Sequence, residues 1–159
     1  MALRLKPSRT ATVNARAVLP KMVEKYFHAG REASDGTRSP KELHRFRIAT
    51  KRFRYTLELF RPVYGATLDR RMKLLHNLQD TLGKLSDYRS MQQMVKGDEE
   101  LETRLKHAAK RHLKEFQELW KAFDGEGQLR SWKAYLSGGN TRNTGKTRNA
   151  RKEVAARLP

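Results

Sequence analysis

Apolar residues recur every three or four positions through most of this 159-residue chain. That is the period of amphipathic helices; no segment shows the alternation of a half-buried strand. Leu19, Met22, Val23, Tyr26 and Phe27 make the first stripe, and Pro20 beside them predicts that this helix begins near it or bends there. Ser34-Asp35-Gly36-Thr37-Arg38 interrupts the pattern. Ser39-Pro40-Lys41-Glu42 reads as a capping box with proline in the first turn, which starts a second helix. Its apolar side is Leu43, Phe46, Thr50, Phe53, Leu57 and Phe60, and Pro62 and Gly65 end it. The spacing of Leu68, Leu75, Leu78, Leu82 and Leu85 predicts a third helix over 67–95. Gly97-Asp98 then forms a break and an N-cap. Asp98, Glu99, Glu100 and Glu102 crowd the next first turn, where the helix dipole favours acids. Leu101, Leu105, Ala109, Leu113, Phe116, Trp120 and Phe123 line this fourth helix, which stops at Gly125.

Four amphipathic helices with short connections predict an all-α fold, an antiparallel four-helix bundle. The expected organisation is a flexible basic N-terminus over 1–11, the bundle over 12–125 and a basic tail over 126–159. A short helix is expected at 128–136, and from Ser137 the Gly, Asn, Thr, Arg and Lys composition cannot bury enough apolar surface to order itself. No apolar run approaches the 18 or more residues of a membrane-spanning helix. The basic first residues lack a following apolar core, so no secretory signal is expected. The first acid is Glu24, a composition that suits an organelle transit peptide and a basic arm equally. With no cysteine, disulfides and thiolate zinc sites are excluded, and a reducing compartment fits.

Charge changes the picture. The chain has 35 Lys and Arg against 17 Asp and Glu, a formal net charge of +18. The excess is segregated: residues 39–63 hold seven bases and two acids, whereas 98–124 hold six bases and seven acids. A one-signed field of this kind points to a polyanionic partner. Projected at about 100° per residue, His44, Arg47, Lys51, Arg54 and Arg61 fall along one edge of the second helix's apolar face. Glu58 is the only acid in that stripe, and Arg52 lies on the far flank with Arg45. The stripe runs about 26 Å at 1.5 Å per residue, a line that suits an extended chain of phosphates better than one small anion. On the third helix Arg70, Lys73 and Lys84 lie together with His76 and Asp80 alongside, and they are the candidate second wall of a groove.

The segment Leu43-His44-Arg45-Phe46-Arg47-Ile48-Ala49-Thr50-Lys51-Arg52-Phe53-Arg54-Tyr55 resembles the signature of the CHAD domain, an α-helical domain named for its histidines. His44, Arg47, Lys51-Arg52 and Arg54 match its pattern of a histidine, a base three later, a basic pair and another base. Leu82-Gly83 followed by Asp87 resembles the second family element. Mid-helix glycine costs about 1 kcal/mol relative to alanine, so close helix packing is expected at Gly83. The resemblance covers roughly residues 19–124. It implies a polyphosphate-binding helical module in the cytoplasm, on polyphosphate granules, with bases lining a groove. Two departures stand out. Family members usually contain two related four-helix halves, whereas this chain holds one repeat, so that either one half binds alone or a homodimer rebuilds the whole. Ser86 stands where the family often has arginine or asparagine.

Catalytic chemistry is not expected. His107 and His112 diverge around their helix, so no metal ligand set forms. Gly145-Lys146-Thr147 echoes the end of a phosphate-binding loop, but Asn140 occupies the first glycine position and no strand precedes it. No cysteine nucleophile or serine triad context is present, and no cofactor is implied. The leading expectation is therefore a polyphosphate-binding module using His44, Arg47, Lys51, Arg52, Arg54, Arg61, Arg70, Lys73, His76 and Lys84. The alternatives are a nucleic-acid-binding protein with Arg142 to Arg157 as a basic arm, or an accessory subunit of a polyphosphate-processing enzyme, docking through the acidic start of the fourth helix.

Overall fold

A computed structural model describes residues 5–36 and 39–138. They form six helices in the order α1 (Ala11–Ser34), α2 (Pro40–Leu59), α3 (Arg61–Tyr64), α4 (Ala66–Met94), α5 (Glu99–Phe123) and α6 (Gln128–Leu136), and no strand occurs among them. The fold is all-α.

Local chemistry explains most boundaries. Ser39 and Glu42 close the expected capping box: the Ser39 N–H donates to Glu42 Oε2 at 2.8 Å, and the Glu42 N–H donates to Ser39 Oγ. The Asp98 carboxylate accepts from the Leu101 N–H at 3.0 Å and starts α5. Gly65 sits at φ +64° between the one-turn α3 and α4, a conformation that favours glycine. Of the two expectations at Pro20, a helix start there is not met. Helix α1 starts at Ala11 behind the N-cap Thr10, and Pro20 lies inside it. Eight buried residues along α1, among them Leu19, Val23, Tyr26 and Phe27, outweigh the one hydrogen bond that proline removes. Part of the expected loose N-terminus is also tied down. The Asn14 side chain bonds the backbone of Lys6 in both directions and the Arg9 carbonyl. Residues 1–4 lie outside the described residues.

Helix α2 lies between α1 and α4, and α5 packs on α4. Contacts between each pair step in opposite directions. Tyr26 meets Phe53 while Ala33 lies near Glu42; Arg54 meets Gln79 while His44 meets the region of Arg89; Thr81 meets Glu115 while Tyr88 stacks on His112. Tyr26 centres the core, stacked on Phe46 and Phe53 at 5.2 and 4.6 Å and meeting Trp120 and Phe123 edge-on. Thr50, which falls on the apolar side of α2, donates its hydroxyl to the Phe46 carbonyl and so accepts from the Tyr26 hydroxyl. Burial without hydration is tolerated because both polar groups are satisfied.

Residues 126–136, assigned to the tail from composition, belong to the core. Trp132, Tyr135 and Leu136 of α6 are buried, and Trp132 packs against Phe53 and Phe123. The Tyr64 hydroxyl donates to the Leu136 carbonyl at 2.7 Å and the Tyr135 hydroxyl donates to the Tyr64 carbonyl at 3.3 Å. Arg71 of α4 lies over the Trp132 and Tyr135 rings and bonds Ser131. The short helix expected at 128–136 is present, and it closes the core against α1. Residues 139–159, which hold the rest of the expected tail, lie outside the described residues.

Candidate functional site

The α2 row divides into two halves of different character. Its C-terminal half is neutralised. Arg54, whose side chain is only 14% exposed, donates to Glu58 and to Gln79 Oε1 at 2.7 Å, and its Nη1 stands 3.3 Å from His76 Nε2. His76 Nδ1 lies 2.9 Å from the Met72 carbonyl, which can only accept, so that nitrogen carries the proton. The Nε2 stands between Arg54 Nη1 and the Glu58 carboxylate, 3.7 Å from Glu58 Oε1. Arg61 is paired with Asp69 at 2.9 Å, and that hydrogen bond and charge hold its guanidinium above its ordinary value. The N-terminal half differs. His44, Arg47 and Lys51 have no ion pair or side-chain hydrogen bond among the described residues, although Lys51 stands over the Tyr55 ring at 5.7 Å.

Only one of the four bases expected on the opposite wall reaches the row. His76 and Gln79 face α2 through Arg54. Lys84 faces the other way. Glu115 of α5 is held below the ordinary carboxylate range chiefly by its hydrogen bond from His112, and the charge of Lys84 adds to this. Arg70 and Lys73 are exposed and paired with nothing among the described residues. At 3.6 residues per turn, Lys73 and Lys84 stand with Asp80 on the outward side of α4, away from the line of Gln79. The second wall expected from Arg70, Lys73 and Lys84 is therefore not assembled against α2. Gly83 also departs from the expectation of close packing: an added Cβ there meets nothing within 4 Å. It follows His76 by seven residues and Gln79 by four, so it lies on the α2-facing side, and the groove is open at that point.

The residues that do oppose the free half of the row were missed. The start of α2 and the C-terminal half of α4 enclose a cleft of ≈ 360 Å³ lined by Lys41, His44 and Arg45 with Ser86, Arg89 and Ser90. Arg89 is half-buried, and burial pulls its guanidinium below its ordinary value. Its spacing was available in the sequence, because Arg89 follows Leu82 and Ser86 by seven and three residues on one face of α4. Arg52 borders a shallow outer surface of α2 with Ile48, Lys51 and Tyr55. Tyr55 and Leu59 there are 47% and 63% exposed, an apolar ridge beside the basic row.

Two cations, the guanidinium of Arg54 at 4.4 Å and Lys51, lie over the Tyr55 ring. The aromatic side chains quoted from the stripes, Tyr26, Phe27, Phe46, Phe53, Phe60, Phe116, Trp120 and Phe123, are in the core. The arrangement offers hydrogen-bond donors and positive charge to an extended anion, with few ring faces for stacking. No described helix is long and apolar enough to cross a membrane.

Among known protein families, the CHAD domain matches residues 1–96, which takes in α1 to α4 and stops short of α5. The match thus begins earlier and ends earlier than the resemblance read over 19–124. No curated protein and no solved structure matches the chain.

Proposed function

The chain belongs to the CHAD domain family, and from that premise we propose that it is a non-catalytic module that binds inorganic polyphosphate along α2. The observation that supports this most directly is the run His44, Arg47 and Lys51, one helical turn apart on the α4-facing edge of α2 and unpaired among the described residues. Like charges at this spacing repel, and a polyanion lying along them removes that repulsion. Arg47 and Lys51 contribute charge-assisted hydrogen bonds, with Arg favoured for bidentate contact to phosphate oxygens. The opening beside Gly83 leaves room for a chain of phosphates to approach the α4 backbone. Arg54 and His76 hold α2 to α4, Arg61 ties α3 to α4 through Asp69, and the three are positioning residues in this reading.

The test is a competition titration at near-physiological salt, with labelled long-chain polyphosphate challenged by duplex DNA, single-stranded RNA and ATP. Parent protein and the Arg47→Ala/Lys51→Ala variant are compared. Polyphosphate retained against charge-matched nucleic acid, lost in the folded variant and weakened steeply by salt through counter-ion release is the expected result. Equal displacement by nucleic acid, or a variant that binds as well as the parent, overturns the reading. The nucleic-acid alternative is disfavoured by the burial of most aromatic rings, since single-strand binders stack bases on exposed ones.

A further inference from the structure

Unneutralised positive charge gathers at one end of the α2–α4 interface. At the other end Glu58 and Asp69 pair with Arg54 and Arg61. In the cleft formed by the start of α2 and the C-terminal half of α4, Lys41, His44 and Arg45 enter from one side and Arg89 from the other. None of these four side chains has an ion pair or hydrogen bond among the described residues. Ser86 and Ser90 add hydroxyls to the α4 wall. Arg89 is half-buried with no counter-charge, which pulls its guanidinium below its ordinary value. Removing a cation from water without a partner costs free energy, and an anion in the cleft would offset that cost.

We propose that this cleft captures the terminal phosphoryl group of a polyphosphate chain, so that the protein holds the chain by its end while interior phosphates run along Arg47 and Lys51. The proposal rests on the polyphosphate reading above. Charge decides between end and interior. An interior phosphate carries one negative charge, whereas a terminal phosphoryl group carries a second, with a pKa of about 6 in phosphate monoesters, and has three non-bridging oxygens. The row spreads its bases at about one per 5.4 Å turn, a sparse line that suits singly charged interior phosphates better than a concentrated dianion. The cleft concentrates three permanent cations and a histidine on one place, which matches a dianion. Arg89, across from the α2 bases, offers its planar fork to two of the terminal oxygens, and the serine hydroxyls can donate to the third.

The experiment is calorimetric titration of the full chain with polyphosphate of two defined lengths, each with free ends and with both ends blocked as phosphoramidates. Free-ended chains are expected to bind tighter by about tenfold or more, the scale of one charge-assisted contact. Tight sites should number two per chain, one for each end, at both lengths. Arg89→Ala should abolish the preference for free ends, and Arg89→Lys, which keeps charge but not the fork, should restore it only in part. Equal affinity for blocked and free chains, with stoichiometry rising with length, overturns end capture and leaves the polyphosphate reading standing. Absence of binding to either overturns both. Displacement by orthophosphate at equal concentration of phosphoryl groups also overturns the proposal, because the cleft would then read an isolated anion. If Arg89→Ala does not fold, blocked against free ends on the parent protein decides alone.

Discussion

Gly30 and Gly83 are both helical glycines, and the structure gives them opposite roles. At Gly30 an added Cβ would stand 2.0 Å from the Trp120 ring, which lies among Tyr26, Phe27, Phe46 and Phe123. The indole Nε1 has no acceptor among the described residues, so packing alone holds the ring. Surrounding aromatics leave it little freedom to shift. Gly30→Ala is therefore expected to cost about 1–3 kcal/mol by overpacking, despite alanine's better helix propensity. At Gly83 nothing opposes a methyl group, and Gly83→Ala should gain about 1 kcal/mol. Urea unfolding of the two variants checks both signs at once. A loss at Gly83 would mean that its side of α4 is not open. Sequence alone favoured close packing at Gly83 and offered no signal at Gly30, because the partner of Gly30 lies 90 residues away.

Helices read well where their ends are chemically marked. Ser39 with Glu42, Gly65 and Asp98 are caps or breakers with local mechanisms, and α2, α4 and α5 begin within a residue of expectation. Helix α1 starts within a residue of the expected bundle boundary at 12 rather than at Pro20, because its start depends on Thr10 and on burial further along. The basic row on α2 was legible for a related reason: a single helix with one clear apolar face fixes its own rotation. Helix α4 has α2 on one flank of its apolar face and α5 on the other, and nothing in its own sequence says which flank meets which neighbour, so its outward bases were assigned to the wrong side. The paired state of Arg54 was equally hidden, since Gln79 and His76 reach it only across the interface. Arg54→Ala should lower stability by about 1–3 kcal/mol by leaving half-buried partners unsatisfied. Arg47→Ala/Lys51→Ala should stay within about 0.5 kcal/mol of the parent. Thermal unfolding of the two variants separates them, and a neutral Arg54→Ala would show that this residue is not the tie between α2 and α4.

The whole molecule is one core closed by its last described helix. Period and spacing showed α6, but its burial was not legible, because nine residues beside a Gly- and Asn-rich stretch look like the start of a tail. Removing residues 139–159 is expected to leave cooperative unfolding intact and to spare polyphosphate binding. Stopping at residue 125 uncovers the sites of Trp132, Tyr135 and Leu136 and should abolish the cooperative transition. Circular dichroism melts of the two truncations measure this. A cooperative 1–125 fragment would return α6 to the tail.

The clasp between α6 and the rest of the fold also bears on how the chain is made. Lys133 reaches Glu24 at 3.1 Å and α6 packs along α1, so the α6-facing side of α1 is covered only after residue 136 exists. At about 5–20 residues per second, roughly 5–20 s separate the end of α1 from the end of α6. During that interval the nascent protein presents part of an apolar helix face whose cover has not been synthesised, the kind of transient exposure that favours aggregation.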